Sequence, residues 1–159
     1  MDTVSREVRS RMMAGIRGKN THPELVVRKI LHANGFRFRL HHKALIGKPD
    51  IVLPRYRLCI FVHGCFWHRH AGCKYTTNPK TRVEFWEKKF YDTVHRDSRN
   101  TFSLLDNGWR ILELWECGIR NRMAELEELL KTMPESATPY LRWPDYNGEA
   151  SSKNPVHYR

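Results

Sequence analysis

The segment RLCIFV at 57–62 constrains the fold most, because a run this apolar predicts a strand that is buried on both faces. Such a strand lies in the middle of a sheet, with helices packed on either side. The preceding segment DIVL at 50–53 is predicted to pair with it antiparallel through a short turn, with Leu53 facing Leu58. This register places Asp50 opposite residues 61 and 62, near the end of the central strand.

Apolar periodicity predicts the remaining elements. Helices are expected at 4–17, from Thr21 to Gly35, at 81–107 and at 119–132, and strands at 36–40 and 109–115. Thr21 with Glu24, and Thr81 with Glu84, form the capping-box pattern of helix starts. The resulting order is helix, helix, three strands, helix, strand, helix, which predicts an α/β core with a mixed central sheet flanked by helices.

The length of 159 residues fits one ordinary domain, with simpler segments at its ends. We divide the chain into a basic N-terminal helix at 1–20, a main domain at 21–133 and a polar tail at 134–159. Pro, Ser and other polar residues without periodicity make up this tail. We therefore expect the tail either to wrap around the domain or to be disordered.

The net charge of +11 makes nucleic acid the expected partner, although simple solubility is the alternative. The chain has no run of about 18 apolar residues, and its N-terminus lacks the apolar region of a signal peptide. We therefore expect a cytoplasmic protein with no membrane partner. In that compartment, four cysteines indicate thiols or metal ligands rather than disulfides.

Three histidines and two cysteines lie within HGCFWHRHAGC at 63–73, directly after the central strand. Structural zinc takes four Cys or His ligands, and a fourth ligand could follow the strand at 109–115 if that strand joins the same sheet. The alternative is free cysteines and surface histidines. Cys59, inside the apolar strand, is expected to be a core thiol. A closed site would leave His63 and His68 free for other work. The predicted zinc ligands are Cys65, His70, Cys73 and Cys117.

Asp50 is a candidate magnesium ligand, since the predicted hairpin brings its carboxylate beside the strand that leads into His63. A carboxylate with a nearby main-chain carbonyl, here that of Val62, suits Mg²⁺, and a histidine within reach could accept a proton from water. Asp50 could equally be a solvated turn residue after Pro49.

Several motifs occur together and carry a specific resemblance. They are Met12-Ala14-Ile16, Thr21-x-Pro23-Glu24, Gly47-Lys48-Pro49-Asp50, HGCFWHRHAGC at 63–73, Glu84-Phe85-Trp86, Arg96-Asp97 and Gly108-Trp109-Arg110 with Trp115-Glu116-Cys117.

Over residues 5 to 132, these motifs resemble the very-short-patch repair (Vsr) mismatch endonucleases. The resemblance implies a restriction-endonuclease-like fold with one structural zinc. It also implies a Mg²⁺-dependent enzyme that nicks one DNA strand 5′ to the thymine of a T:G mismatch arising from 5-methylcytosine deamination. Residues 21–133 would be the catalytic domain, and the helix within 1–20 would clasp DNA. The partners implied are mismatched duplex DNA and mismatch-repair proteins, with the enzyme acting as a monomer.

The resemblance also assigns individual roles. By position, Asp50 resembles the metal-binding aspartate, His68 the general base and His63 a residue that supports the reacting phosphate, while Glu24 matches an acidic residue near the site. Two departures stand out. Val62 replaces a threonine, and the altered spacing before Cys73 leaves His68 as the alternative zinc ligand to His70. The DNA-binding residues implied are Phe66, Trp67, Trp86, Met12, Met13 and Arg96.

Phe66 and Trp67 cannot bind metal, so their position inside the ligand cluster needs another reason. Apolar wedges inserted between bases unstack and kink DNA most easily where pairing is already poor. We therefore interpret Phe66, Trp67 and Trp86 as a wedge, the alternative being core aromatics. Trp109 and Trp115 are assigned to the core.

Two other functions fit the sequence. One is a restriction-type endonuclease of the same fold that cuts both strands of intact sites. The other is a zinc-stapled DNA-binding protein without catalysis.

Overall fold

The protein was analysed as a computed structural model that describes residues 5–14 and 19–147, without the side chains of Arg9, Met12, Met13 and Ala14. The helices are α1 (Arg6–Ala14), α2 (His22–Ala33), α3 (Cys65–His68), α4 (Val83–Asp106), α5 (Glu116–Asn121) and α6 (Met123–Thr132), and the strands are β1 (Arg39–Leu40), β2 (Ile51–Leu53), β3 (Leu58–His63), β4 (Arg110–Trp115) and β5 (Tyr140–Trp143).

The five strands form one mixed sheet in the order β1-β2-β3-β4-β5. The first three strands are antiparallel, and β3, β4 and β5 run parallel to one another. Leu53 pairs with Leu58 across a single turn of 3-10 helix at Pro54–Tyr56, so the predicted register of the hairpin is confirmed. The parallel strands end at the same edge of the sheet, and the segments that follow them meet there.

Helices cover both faces of the central strands, as the apolar run at 57–62 predicted. On one face, Leu58, Ile60 and their neighbours pack with α2, α5 and α6 in the larger core cluster. On the other face, Cys59 packs against Leu104 of α4, which confirms it as a core thiol. Side chains alternate along a strand, so His63 lies on the α4 face with Cys59. The predicted mixed α/β architecture is confirmed, and the restriction-endonuclease-like assignment stays a prediction.

Helix ends differ from the sequence patterns in two places. Thr21 caps α2 by accepting from the Glu24 main-chain N–H at 3.4 Å, but the Glu24 side chain bonds the main chain of Asn20 instead of Thr21. The second capping box is wrong, because α4 begins after Arg82, a left-handed residue with no side-chain cap.

The predicted helix at 119–132 is two helices in the structure. Arg122 adopts φ −134° and ψ 52°, outside the helical region, and divides α5 from α6. The predicted strand at 36–40 is reduced to Arg39–Leu40, while Phe36 packs edge-to-face on Tyr56 in the core.

Part of the predicted polar tail belongs to the sheet. Residues 140–143 form β5, and Tyr140 is buried against β4. The sequence patterns did not predict this strand, and residues 148–159 of the expected tail lie outside the described residues. The division into three segments stays a prediction. Within the described residues, every helix is too short or too polar to cross a membrane.

Candidate active site and metal centre

A cleft of about 450 Å³ opens at the edge of the sheet where β3 ends. Asp50 enters it from the start of β2, Val62 and His63 from the end of β3, and His68 from α3. The opposite wall belongs to α4. These residues come from one short stretch of the chain, 50 to 68. The hairpin register and the short turn into α3 bring them together. The α4 residues that line the cleft are Arg96, Asp97, Asn100 and Thr101.

The carboxylate of Asp50 joins β2 to β3. Its Oδ2 accepts a hydrogen bond of 2.8 Å from the main-chain N–H of Val62, as the predicted pairing of these segments requires. Burial raises the pKa of Asp50 to about 7, with a further contribution from Glu24, while the Val62 hydrogen bond and the charges of His68 and Arg28 act in the opposite direction. A carboxylate that resists ionisation through burial gains most from a neighbouring cation, so Asp50 fits the role of a metal ligand.

Glu24 and His41 extend the acidic side of the cleft. Glu24 is buried, and its Oε2 accepts from the main chain of Asn20 at 3.0 Å and from Arg28 at 2.9 Å. His41 lies between the two carboxylates, with Nε2 3.6 Å from Glu24 and Nδ1 4.0 Å from Asp50. Ligand atoms of Glu24, His41 and Asp50 all lie within 4.8 Å of one another. Sequence reasoning missed His41, because only the pairing of β1 with β2 brings it to Asp50.

His68 is paired with a carboxylate of α4. Its Nδ1 lies 2.6 Å from Oδ2 of Asp97, so Nδ1–H donates and Nε2 is left as the basic nitrogen. The ring of His63 lies 4.1 Å from the ring of His68, centroid to centroid. Burial lowers the pKa of His63 well below its ordinary value, and the neighbouring His68 adds to this effect. His63 is therefore neutral near pH 7.

Asp97 was not assigned a role from the sequence. Its only sequence signal was the Arg96-Asp97 motif inside a long polar helix, 29 residues after His68. Arg96 itself lines the cleft and ion-pairs with Asp97 at 3.7 Å, with more than half of its side chain exposed.

An aromatic cluster lies beside the cleft, between α3 and α4. The rings of Phe66, Trp67, Trp86 and Phe90 contact one another at centroid distances of 5.2 to 5.9 Å. The three residues assigned to the wedge are each only partly buried, unlike Trp115, which is 4% exposed in the core. Lys89 lies within 5.5 to 5.8 Å of Trp67 and Trp86. The cluster is therefore a half-exposed aromatic surface next to a basic side chain, and not part of either main core.

The predicted zinc ligands converge on one buried point. Their ligand atoms all lie within 4.8 Å of one another, and His70, not His68, is the histidine among them. Cys117 reaches the loop because β4 lies next to β3, as the sequence argument required. Burial raises the pKa of the Cys65 and Cys117 thiols and lowers the pKa of His70. Three thiols and a neutral imidazole in a closed cluster fit tetrahedral zinc. The four residues are Cys65, His70, Cys73 and Cys117.

The N-terminal helix is described only in part. α1 spans Arg6–Ala14, inside the predicted 4–17. The side chains of Met12 and Met13 lie outside the described part of the chain, so their predicted contact with DNA stays a prediction. The side chains of Arg6 and Arg11 in α1 are exposed.

Comparison with known proteins gives relatives over most of the chain. A family model described as DNA mismatch endonuclease Vsr matches residues 1–74. The type II nicking enzyme V.XorIIP of Xanthomonas oryzae pv. oryzae is 45% identical over 132 residues, which are 83% of this chain and 96% of the relative. The DNA mismatch endonuclease Vsr of Escherichia coli K12 is 40% identical over 129 residues, which are 81% of this chain and 82% of the relative.

These relatives, together with the cleft of carboxylates and histidines, define the protein as an endonuclease, a hydrolase of the nuclease class. More specifically, the chain belongs to the Vsr family of DNA mismatch endonucleases.

Proposed function

We propose that this protein nicks one strand of duplex DNA 5′ to the thymine of a T:G mismatch and so starts very-short-patch repair. One observation carries the proposal: Asp50, His63 and His68 line a single cleft, and a half-exposed aromatic cluster lies directly beside it. A nuclease that acts on intact sites needs the cleft but not the cluster. The relatives include a mismatch endonuclease and nicking enzymes, which supports both action at a mismatch and cleavage of one strand.

Asp50 and the main-chain carbonyl of Val62 would hold Mg²⁺, with Glu24 close by. When bound, the ion neutralises charge on the scissile phosphate and makes a bound water more acidic. Asp50 is oriented for this role by the Val62 N–H at 2.8 Å, which fixes one carboxylate oxygen and leaves the other available. The loss of threonine at position 62 does not affect a ligand supplied by the main chain.

His68 would accept the proton of the attacking water at Nε2. Oδ2 of Asp97 accepts a hydrogen bond from Nδ1–H of His68, with 2.6 Å between Nδ1 and Oδ2. This bond keeps the imidazole in the required tautomer and stabilises the imidazolium that forms. His63, which burial keeps neutral, would donate a hydrogen bond to the phosphate without placing a second positive charge beside His68.

Phe66, Trp67 and Trp86 would enter the base stack as a wedge. Unstacking a base step costs a few kcal/mol and least at a poorly paired step, so an aromatic wedge favours a mismatch over intact duplex. Lys89 beside these rings, Arg96 in the cleft and the arginines of α1 would contact backbone phosphates.

Structural zinc at the Cys65, His70, Cys73 and Cys117 cluster would hold the wedge and the base in place. Cys65 is the first residue of α3, which also carries Phe66, Trp67 and His68. A one-turn helix has little stability of its own, so a fixed ligand at its start limits the movement of all three side chains.

The test is nicking of a labelled duplex with one T:G mismatch, beside a matched duplex, with Mg²⁺ and with EDTA. Breakage of the thymine strand alone, only with the mismatch and only with Mg²⁺, is the expected result. Equal cutting of both duplexes would instead support a restriction-type enzyme. Binding without any nicking would support the non-catalytic DNA-binding protein.

A further inference from the structure

We infer that residues 143–147, which we call the C-terminal strap, belong to the zinc centre and retain its metal. This inference rests on the proposed zinc. The strap begins at the last residue of β5, and the parallel pairing of β5 with β4 delivers it to the sheet edge where Cys117 lies. Pro144 and Tyr146 of the strap contact two different ligands of the cluster.

The first contact sets the tautomer of His70. Its Nε2 lies 2.7 Å from the main-chain carbonyl oxygen of Pro144, and both groups are buried. A carbonyl can only accept, so the ring proton resides on Nε2. The lone pair is then on Nδ1, which lies 3.4 Å from Sγ of Cys117 and 3.7 Å from Sγ of Cys65. Pro144 thus selects the nitrogen that faces the thiols as the metal ligand.

The second contact reaches a sulfur ligand. The Tyr146 hydroxyl donates to Sγ of Cys117 at 3.3 Å, and the Tyr146 ring lies 5.1 Å from the ring of His70. Three thiolates on one Zn²⁺ leave a net negative charge. A hydroxyl donor to one of them offsets part of that charge, which favours the metal-bound state.

Two glycines allow the strap to lie this close. A Cβ on Gly118, in α5 next to Cys117, would lie 2.5 Å from Cδ of Pro144. Gly72, beside Cys73, has φ +75°, and a Cβ there would lie 2.9 Å from the Asn147 side chain. The ligand loop and α5 therefore both pack against the strap, which makes the contact part of the fold and not a chance approach of a polar tail.

The strap acts on catalysis only through the metal, so Pro144 and Tyr146 are positioning residues. Zinc fixes Cys65, and Cys65 begins the helix that carries the wedge and His68. Weakening the strap should therefore first change how tightly the metal is held, before any effect on nicking.

Three variants test the strap in the full-length protein. Tyr146→Phe removes the hydroxyl and keeps the ring. Gly118→Ala forces Pro144 away while raising helix propensity in α5 by about 1 kcal/mol, so weaker zinc binding cannot come from a weaker helix. Tyr91→Phe is the matched control, because Tyr91 is 63% exposed on α4 and stacks only on His95 among the described ring contacts.

Zinc per chain is measured first, followed by the rate at which a chromogenic chelator removes it. Loss of an outer hydrogen-bond partner typically weakens metal binding by about 10- to 100-fold. We expect zinc to leave Tyr146→Phe about 10-fold faster than wild type and Gly118→Ala faster still, with Tyr91→Phe unchanged. In Co²⁺-substituted protein, the thiolate-to-cobalt charge-transfer band should move to longer wavelength in Tyr146→Phe and not in Tyr91→Phe, because removing a donor raises the energy of the sulfur electrons.

Two results would overturn the inference in distinguishable ways. Wild-type protein that binds no zinc refutes the zinc assignment, and the strap with it. If wild-type protein holds one zinc, and Tyr146→Phe and Gly118→Ala both release it at rates within twofold of Tyr91→Phe, the role of the strap is refuted and the zinc site stands.

Discussion

Replacing Asp97 with asparagine removes one negative charge beside His68 and keeps the shape of the side chain. The His68 Nδ1 to Asp97 Oδ2 distance of 2.6 Å marks a charge-assisted hydrogen bond, and each side chain is about a quarter exposed. Hydrogen bonds to charged groups contribute about 1.5–3 kcal/mol, and partial exposure favours the lower half of that range. A loss of about 1.5–2 kcal/mol from the transition state corresponds to about 10- to 30-fold in rate.

Single-turnover nicking of a T:G duplex, with enzyme in excess, isolates this step from binding and release. DNA affinity is measured separately by fluorescence anisotropy with EDTA and should stay near that of wild type. Asp92→Asn makes the same change on the same helix at an exposed carboxylate paired with Lys88, so it should nick normally. An Asp97→Asn rate within twofold of Asp92→Asn would refute the assignment of His68 as a base held by Asp97.

Trp67→Ala should lower the preference for mismatched over matched duplex by about 5- to 150-fold, since base stacking on an aromatic contributes about 1–3 kcal/mol. Nicking of both duplexes measures this, and an unchanged ratio would exclude Trp67 from the wedge. Burial raises the pKa of Glu113 in the folded protein above its ordinary 4.5. The stability that protonated Glu113 contributes is therefore fully present below pH 4.5 and is lost as the pH rises through the raised pKa of the folded protein. Urea unfolding from pH 4 to 8 should therefore show Glu113→Gln gaining on wild type as pH rises, and parallel curves would contradict the reasoning. Leu114→Ala, at a fully buried site, should cost about 2–5 kcal/mol of unfolding free energy with m unchanged, against less than about 0.5 kcal/mol for Leu25→Ala at an exposed site. A similar cost for both would contradict the described core.

Features with a local signal were predictable from the sequence. The apolar run at 57–62 and the short turn before it determined the hairpin, and the hairpin determined the position of Asp50 relative to Val62. Cys117 could be placed with the loop cysteines because its strand was recognisable, and that strand pairs with β3. Asp50 and Val62 are close together in the sequence, and Cys117 follows a strand with a clear apolar pattern.

β5 was missed because its pattern is mixed. Arg142 makes the segment look polar, yet the structure pairs it with Glu113 of β4 at 3.2 Å, and Glu113 is itself buried. A charge whose ion-pair partner lies 29 residues away carries no local sign of burial. Asp97 and His41 were missed for a related reason, since their roles depend on which helix or strand packs beside the cleft.

The split between α5 and α6 was missed because residues 119–132 keep a helical apolar spacing through Arg122. Only the dihedral angles of that residue break the helix. The capping-box pattern at Thr81 and Glu84 caused the opposite error, because it predicted a helix cap that the structure lacks. Residues of the capping type can occur at the right spacing without adopting the capping geometry.

In the proposed function, four consecutive residues of α3 would combine three duties: Cys65 would anchor zinc, Phe66 and Trp67 would face the DNA, and His68 would act as the base. Oxidation of the thiols would therefore not produce an enzyme that cuts DNA without discrimination. Recognition and cleavage would fail together, so a damaged copy of the nuclease would be inert and would leave intact DNA uncut.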